Sequence, residues 1–200
     1  MRRRKIGLLG GSFNPAHEGH RDISLAALTS LGLDEVWWLV APQNPLKPVD
    51  GMAPLRERLI QARKKAAHPR IRVTDIEIRL GTRFTADTLA KLVGRYRSSR
   101  FVWLMGADNL VQIDRWKDWT QIFHLLPIAV FDRPTYTYGA LAAKAARRFA
   151  RQRKRESASH LLALASTPAW MFVHHRLNPI SATAIRAAAA KAKALASRIR

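Results

Sequence analysis

Cysteine is absent from the 200-residue chain, so disulfides and thiolate zinc sites are excluded. Long apolar runs are absent too, and nothing approaches the ~20 residues of a membrane-spanning helix. The basic start is followed by an apolar stretch, Ile6 to Leu9, far short of the roughly 7–15 residues of a secretory core. A cytoplasmic protein that avoids the membrane is expected. Acidic residues are scarce, with 14 Asp and Glu against 35 Lys and Arg, a formal charge of +21. Such a balance favours anionic partners (nucleotides, nucleic acid or acidic membrane surfaces) without choosing among them. From Ala140 to Arg200, thirteen Lys or Arg face a single acid, Glu156. Solvated helical faces account for that excess, and a basic nucleic-acid-binding module is the sharper alternative. The dinucleotide fingerprint G-x-G-x-x-G, the P-loop G-x-x-x-x-G-K and the zincin H-E-x-x-H are all missing.

What is present is a globular composition, 48% apolar with six Trp and seven Phe. The length suits one domain over residues 1–200, with a basic, Ala-rich helical region from about 140. Short apolar bursts alternate with amphipathic stretches. KIGLLGG, EVWWLVAP, IRVTDIEI, RFVWLMG, PIAVFDR and AWMFVHH read as extended segments. HRDISLAALTSLG, Leu55 to about Ala67, Thr85 to Tyr96 and an Ala-rich end after Ser181 read as helices. Strands alternating with helices predict an α/β fold, a Rossmann-like, doubly wound parallel sheet with helices on both faces. Ligands of such sheets bind beyond the carboxyl ends of the strands, and the polar stretches GSFNPAHEGH, PQNPLK, GADN and DRP all follow predicted strands.

The first of these, GGSFNPAHEGH, is the most informative. Gly10 and Gly11 let backbone N–H groups approach a ligand, Asn14-Pro15 turns the chain, and a helix is expected from Ala16 or His17. A helix N-terminus binds anions readily. His17 and His20 are three apart and share one helix face, with Gly19 leaving the neighbouring surface bare for something bulky such as a triphosphate. Protonation of either imidazole would add charge beside phosphate. The spacing is one residue short for a zincin, and no direct metal ligand is assigned.

These residues resemble a known family. GGSFNPAHEGH is similar to the G-G-(S/T)-F-D-P-x-H-x-G-H signature of adenylyltransferases in the nucleotidyltransferase superfamily, and ISATAIR, Ile180 to Arg186, is similar to its I-S-S-T-x-I-R motif. RFTADTL and GADNL resemble elements of the bacterial nicotinate-nucleotide adenylyltransferases, and Trp116, Trp119 and Arg133-Pro134 fall where that family has similar residues. Asn14 departs from it, standing where the signature often carries Asp.

The resemblance implies transfer of the adenylyl group of ATP to nicotinic acid mononucleotide, with Mg²⁺ bridging the ATP phosphates. It implies catalytic donors at His17, His20 and Arg186. ATP would be held by Gly10, Gly11, Ser12, Phe13, Gly106, Asp108, Ile180, Ser181 and Thr183. The mononucleotide would be held by Asn44, Lys47, Phe84, Thr85, Trp116 and Arg133, with Trp116 on the pyridine ring and Thr85 at its carboxylate. A sister activity on the amide mononucleotide is the alternative. Small-molecule substrates, with no specific nucleic acid and no membrane, are the expected partners. His174 and His175 are read as packing or rim residues.

Overall fold

A computed structural model describes residues 2–43, 51–175 and 185–186. In chain order the strands are β1 (Arg4–Gly11), β2 (Glu35–Val40), β3 (Ile71–Thr74), β4 (Ser99–Gly106), β5 (Ile128–Phe131), β6 (Arg153–Lys154) and β7 (Trp170–Val173). The helices are α1 (Glu18–Ser30), α2 (Leu55–Ala66), α3 (Ile76–Leu80), α4 (Thr85–Arg95), α5 (Ala107–Gln112), α6 (Trp119–Leu125), α7 (Thr137–Ala142) and α8 (Lys144–Arg148). Every strand pairing is parallel, in the order β3-β2-β1-β4-β5-β7-β6.

Period-two alternation along the strands builds two cores. Leu8, Trp37, Leu39, Trp103 and Val130 point to one face, where Leu89 and Leu92 of α4 and Phe123 of α6 cover them. Leu9, Trp38, Val40, Leu104 and Phe131 point to the other, where α1 and α2 contribute Ala27, Leu28, Leu59 and Ala62. Strands buried on both faces need continuous apolar runs, which is why they were legible as sequence. Chain order reverses between β1 and β4, and a crevice opens there at the carboxyl ends.

Two local expectations need correction. IRVTDIEI is not one extended segment: β3 ends at Thr74, and Ile76–Leu80 turn as a short helix. Its alternating apolar pattern fits a strand, but Gly81 caps the segment in the left-handed conformation at φ 58°, and burial falls on adjacent residues, Ile76 and Glu77. The stretch from 140 to 165 is broken rather than continuously helical. It comprises the end of α7, then α8, two 3₁₀ segments and the two-residue edge strand β6. The first helix begins at Glu18 with His17 as its N-cap, next to the expected start. The Ala-rich end after Ser181 lies outside the described residues, apart from a helical turn at Ile185 and Arg186.

Candidate active site

A cleft of about 940 Å³ lies over the β1/β4 switch. Gly10, Gly11, Ser12 and Phe13 line it from the end of β1, and Gly106 and Asp108 from the end of β4. A Cβ at Gly10 would fall 2.4 Å from Cη2 of Trp103. The missing side chain therefore admits an indole as well as any ligand, a packing demand that the sequence did not disclose.

The turn after β1 is built under constraint. Phe13 takes φ 46°, a left-handed conformation that costs a non-glycine residue of order 1–2 kcal/mol. Its ring, 1% exposed and stacked 5.0 Å from Trp38, holds it there. Asn14 uses both ends of its amide: Nδ2 donates to the carbonyl of Gly51 at 3.1 Å, and Oδ1 accepts from the N–H of Ala53 at 3.2 Å. A carboxylate could accept the second bond but could not donate the first, so the neutral amide suits this chain.

His17 and His20 stand with ring centroids 3.9 Å apart. The backbone N–H of His17 donates to Nδ1 of His20 at 3.2 Å. That bond requires an unprotonated Nδ1, so the neutral His20 ring carries its proton on Nε2. Ser24 secures the arrangement from behind, receiving the Trp38 indole N–H at 2.7 Å and donating to the carbonyl of His20 at 2.8 Å. Burial lowers the pKa of His17 to about 4, assisted by the positive charge of Arg133 and opposed by Asp108, Asp22 and Glu18. Position 17 thus holds a neutral imidazole near neutral pH.

Linkage gives this shift a sign. Between pH 6.5 and about 4 the unfolded chain binds more protons at His17 than the folded one. Stability from this group is therefore complete above 6.5 and is lost as pH falls toward 4. In urea titrations, wild type is expected to lose stability relative to His17→Asn as pH drops through that window. Parallel pH curves for the two proteins would contradict the assignment.

Arg133 and Asp108 tie β5 to β4 across the cleft, with Nη1 and Oδ2 2.7 Å apart. Asp108 Oδ1 is buried without a hydrogen-bond partner among the described residues. Asp108 lies in the first turn of α5, whose N-cap is Gly106. Phe84, Thr85 and Trp116 line the far wall of the same cleft, Thr85 opening α4 with Phe84 as N-cap. Nη1 of Arg186 donates to the carbonyl of Asn14 at 2.5 Å, which brings residue 186 to the first turn.

The cytidylyltransferase-like family model matches residues 8–188. A Methylorubrum extorquens (strain PA1) protein named "Probable nicotinate-nucleotide adenylyltransferase" is 52% identical over 182 residues, covering 91% of this chain and 98% of its own. A Ruegeria pomeroyi protein of the same name is 53% identical over 183 residues, covering 92% and 85%. The chain belongs to the nicotinate-nucleotide adenylyltransferase family. A solved structure titled as Plasmodium falciparum nicotinic acid mononucleotide adenylyltransferase complexed with NaAD superposes with a TM-score of 0.68. It covers 92% of this chain and 82% of that one at 16% identity, a likeness of fold alone.

In this adenylyltransferase-family chain the fold gathers twelve of the anticipated residues around one cleft: Gly10, Gly11, Ser12, Phe13, His17, His20, Phe84, Thr85, Gly106, Asp108, Trp116 and Arg133. Asn44, Lys47, Ile180, Ser181 and Thr183 lie outside the described residues. His174 is a rim residue, its Nδ1 2.7 Å from Glu156 Oε2. His175 borders the cleft, edge-on to Phe131, with its pKa lowered by burial.

Two residues were missed. Arg58 of α2 is 1% exposed, and its guanidinium donates to the carbonyls of Ser12, Ala41, Pro42 and Ala53 at 2.6–2.9 Å. It ties the loops after β1 and β2 together beneath the cleft. Glu77 of α3 lines the cleft and is 9% exposed. Neither carried a local signal, since Arg58 is one of five basic residues in α2 and Glu77 sits in an alternating apolar run. Among the described residues no helix is long and apolar enough to cross a membrane.

Proposed function

We propose that the protein transfers the adenylyl group of ATP to nicotinic acid mononucleotide, giving nicotinic acid adenine dinucleotide and pyrophosphate, in NAD biosynthesis and in the cytoplasm. The observation that carries this reading is the convergence of the two-histidine cradle and the Phe84-Thr85-Trp116 wall on one cleft at the sheet's switch point. The names of relatives about half identical over nine-tenths of the chain support it.

An oxygen of the mononucleotide phosphate attacks the α-phosphorus of ATP. The bond from that phosphorus to the β-bridging oxygen breaks, and pyrophosphate departs with the electron pair. No enzyme nucleophile is needed, so catalysis rests on alignment and charge stabilisation. His20 offers its Nε2 proton to the phosphate oxygens, with His17 beside it and Arg186 held at the same turn. Backbone groups of Gly10 to Phe13, together with Gly106 and Asp108, bind ATP. Phe84, Thr85, Trp116 and Arg133 receive the mononucleotide. Asn44 and Lys47 are assigned to that side from their place in the sequence after β2, and Ile180, Ser181 and Thr183 to the ATP side by motif.

The unpaired Asp108 Oδ1 suits a magnesium ion held mainly by triphosphate and water. Such an ion would neutralise charge developing on the leaving pyrophosphate. Pyrophosphate release with ATP and the acid mononucleotide, the amide mononucleotide or phosphopantetheine tests the reading. The acid is expected to be preferred, dominance of the amide would move the protein to the sister activity, and silence with all three would overturn it.

A further inference from the structure

The α3–turn–α4 segment forms a compact unit at one end of the cleft. The carbonyl of Glu77 accepts the N–H of Thr82 at 2.9 Å, and Thr82 and Thr88 share a 2.8 Å hydroxyl contact. This closes the turn that delivers Phe84 and Thr85 to the cleft wall. At the start of the eleven-residue α4, unpaired backbone N–H groups favour a bound carboxylate. Glu77 lies against the same cleft, nine-tenths buried, and among the described residues no hydrogen bond or ion pair reaches its carboxyl. A carboxyl with no protein partner on the cleft lining is available to a ligand.

We propose that Glu77 is a specificity-determining residue for the acid mononucleotide, donating a carboxyl O–H to the pyridine carboxylate alongside the α4 N-terminus. This rests on the function proposed above. An ionised Glu77 would repel that carboxylate but accept a hydrogen bond from the amide N–H₂ of the sister substrate. The protonation state of one side chain thereby discriminates between the two, because two adjacent carboxylates repel.

No surrounding charge contributes to the shift of this group, and burial alone acts on it. On α4, Asp87 faces Lys117 at 3.8 Å, and Lys91 donates to the carbonyl of Leu80. Arg95 lies in the last turn of α4, far along the helix from Thr85. On α3, Arg79 is engaged by Thr74 and Asp75. Glu35, at the opposite end of β2, is bound by Arg4. Arg83 and Arg115 stand on the cleft lining. Burial alone raises the Glu77 pKa from 4.5 to about 7, and a bound anion nearby would raise it further.

The test is the acid-to-amide ratio of kcat/KM, followed by pyrophosphate release in wild type and Glu77→Gln from about pH 6 to about pH 9. Phosphate ionisation is common to both substrates and cancels in the ratio. In wild type the ratio is expected to fall, approaching about tenfold per pH unit above the Glu77 pKa. Glu77→Gln, a permanently neutral donor, is expected to keep the acid preference at every pH. A merely structural Glu77 would leave the slope unchanged. A flat wild-type ratio, or a Gln variant that tracks the wild-type slope, overturns the role of Glu77 alone. No turnover of either mononucleotide overturns the parent reading and this role with it.

Discussion

Arg58→Met is expected to destabilise the fold by about 4 kcal/mol, a large part of the roughly 5–15 kcal/mol available to a domain. Four carbonyl oxygens depend on this guanidinium: those of Ser12, Ala41, Pro42 and Ala53. Methionine fills much of the space but donates nothing, and each buried acceptor left unpaired costs about 1–3 kcal/mol. Relief of the buried cation's desolvation offsets part of the loss. That relief is smaller than in an exchanged ion pair, because the acceptors are main chain and cannot be removed with the charge.

Arg58→Lys should fall between the two, since an ammonium has three donors and no fork. Urea titrations of the three proteins give the comparison. A loss below about 1 kcal/mol for Arg58→Met would mean that the four carbonyls find water or other donors, and that Arg58 does not fix the loops.

His20→Ala is expected to lower kcat by about 10²–10³ with the fold retained. The ring borders the cleft, and its Nδ1 accepts the N–H of His17, so the proton of the neutral ring is on Nε2. Such a donor acts most strongly where charge develops in the transition state, so kcat should fall more than KM rises. The structural cost is small by comparison: loss of the Nδ1 acceptor unpairs one helix-start N–H, worth about 1 kcal/mol. His20→Gln retains a neutral donor and should recover part of the loss. Steady-state kinetics with a thermal melt separate the two effects. Near-wild-type kcat in a folded His20→Ala would remove the cradle from the chemistry.

Much of the fold was readable because a doubly buried parallel sheet cannot be coded subtly. EVWWLV and FVWLM have no other economical reading, and the polar stretches following strands marked the end of the sheet where the cleft opens. The cradle was readable because glycines, a turn and two histidines lie within eleven residues. The remainder depended on partners distant in sequence. Arg58 meets Ser12 across 46 positions, and its neighbours in α2 include ordinary solvated cations. Glu77 lies in a four-residue alternation that suits a strand until Gly81 ends it as a helical turn. Strand β6, two exposed basic residues long, is held by its pairing with β7, and no local propensity announces it. His17 was legible as a site residue but not as a neutral one, because its burial comes from the assembled cleft.

The fate of label from ATP tests the central claim most directly. With the acid mononucleotide and Mg²⁺, phosphorus label in the α-position should appear in the dinucleotide, and label in the γ-position should appear only in pyrophosphate. Label from the γ-position in a phosphorylated mononucleotide, or α-label remaining wholly in ATP, would contradict adenylyl transfer in this cleft.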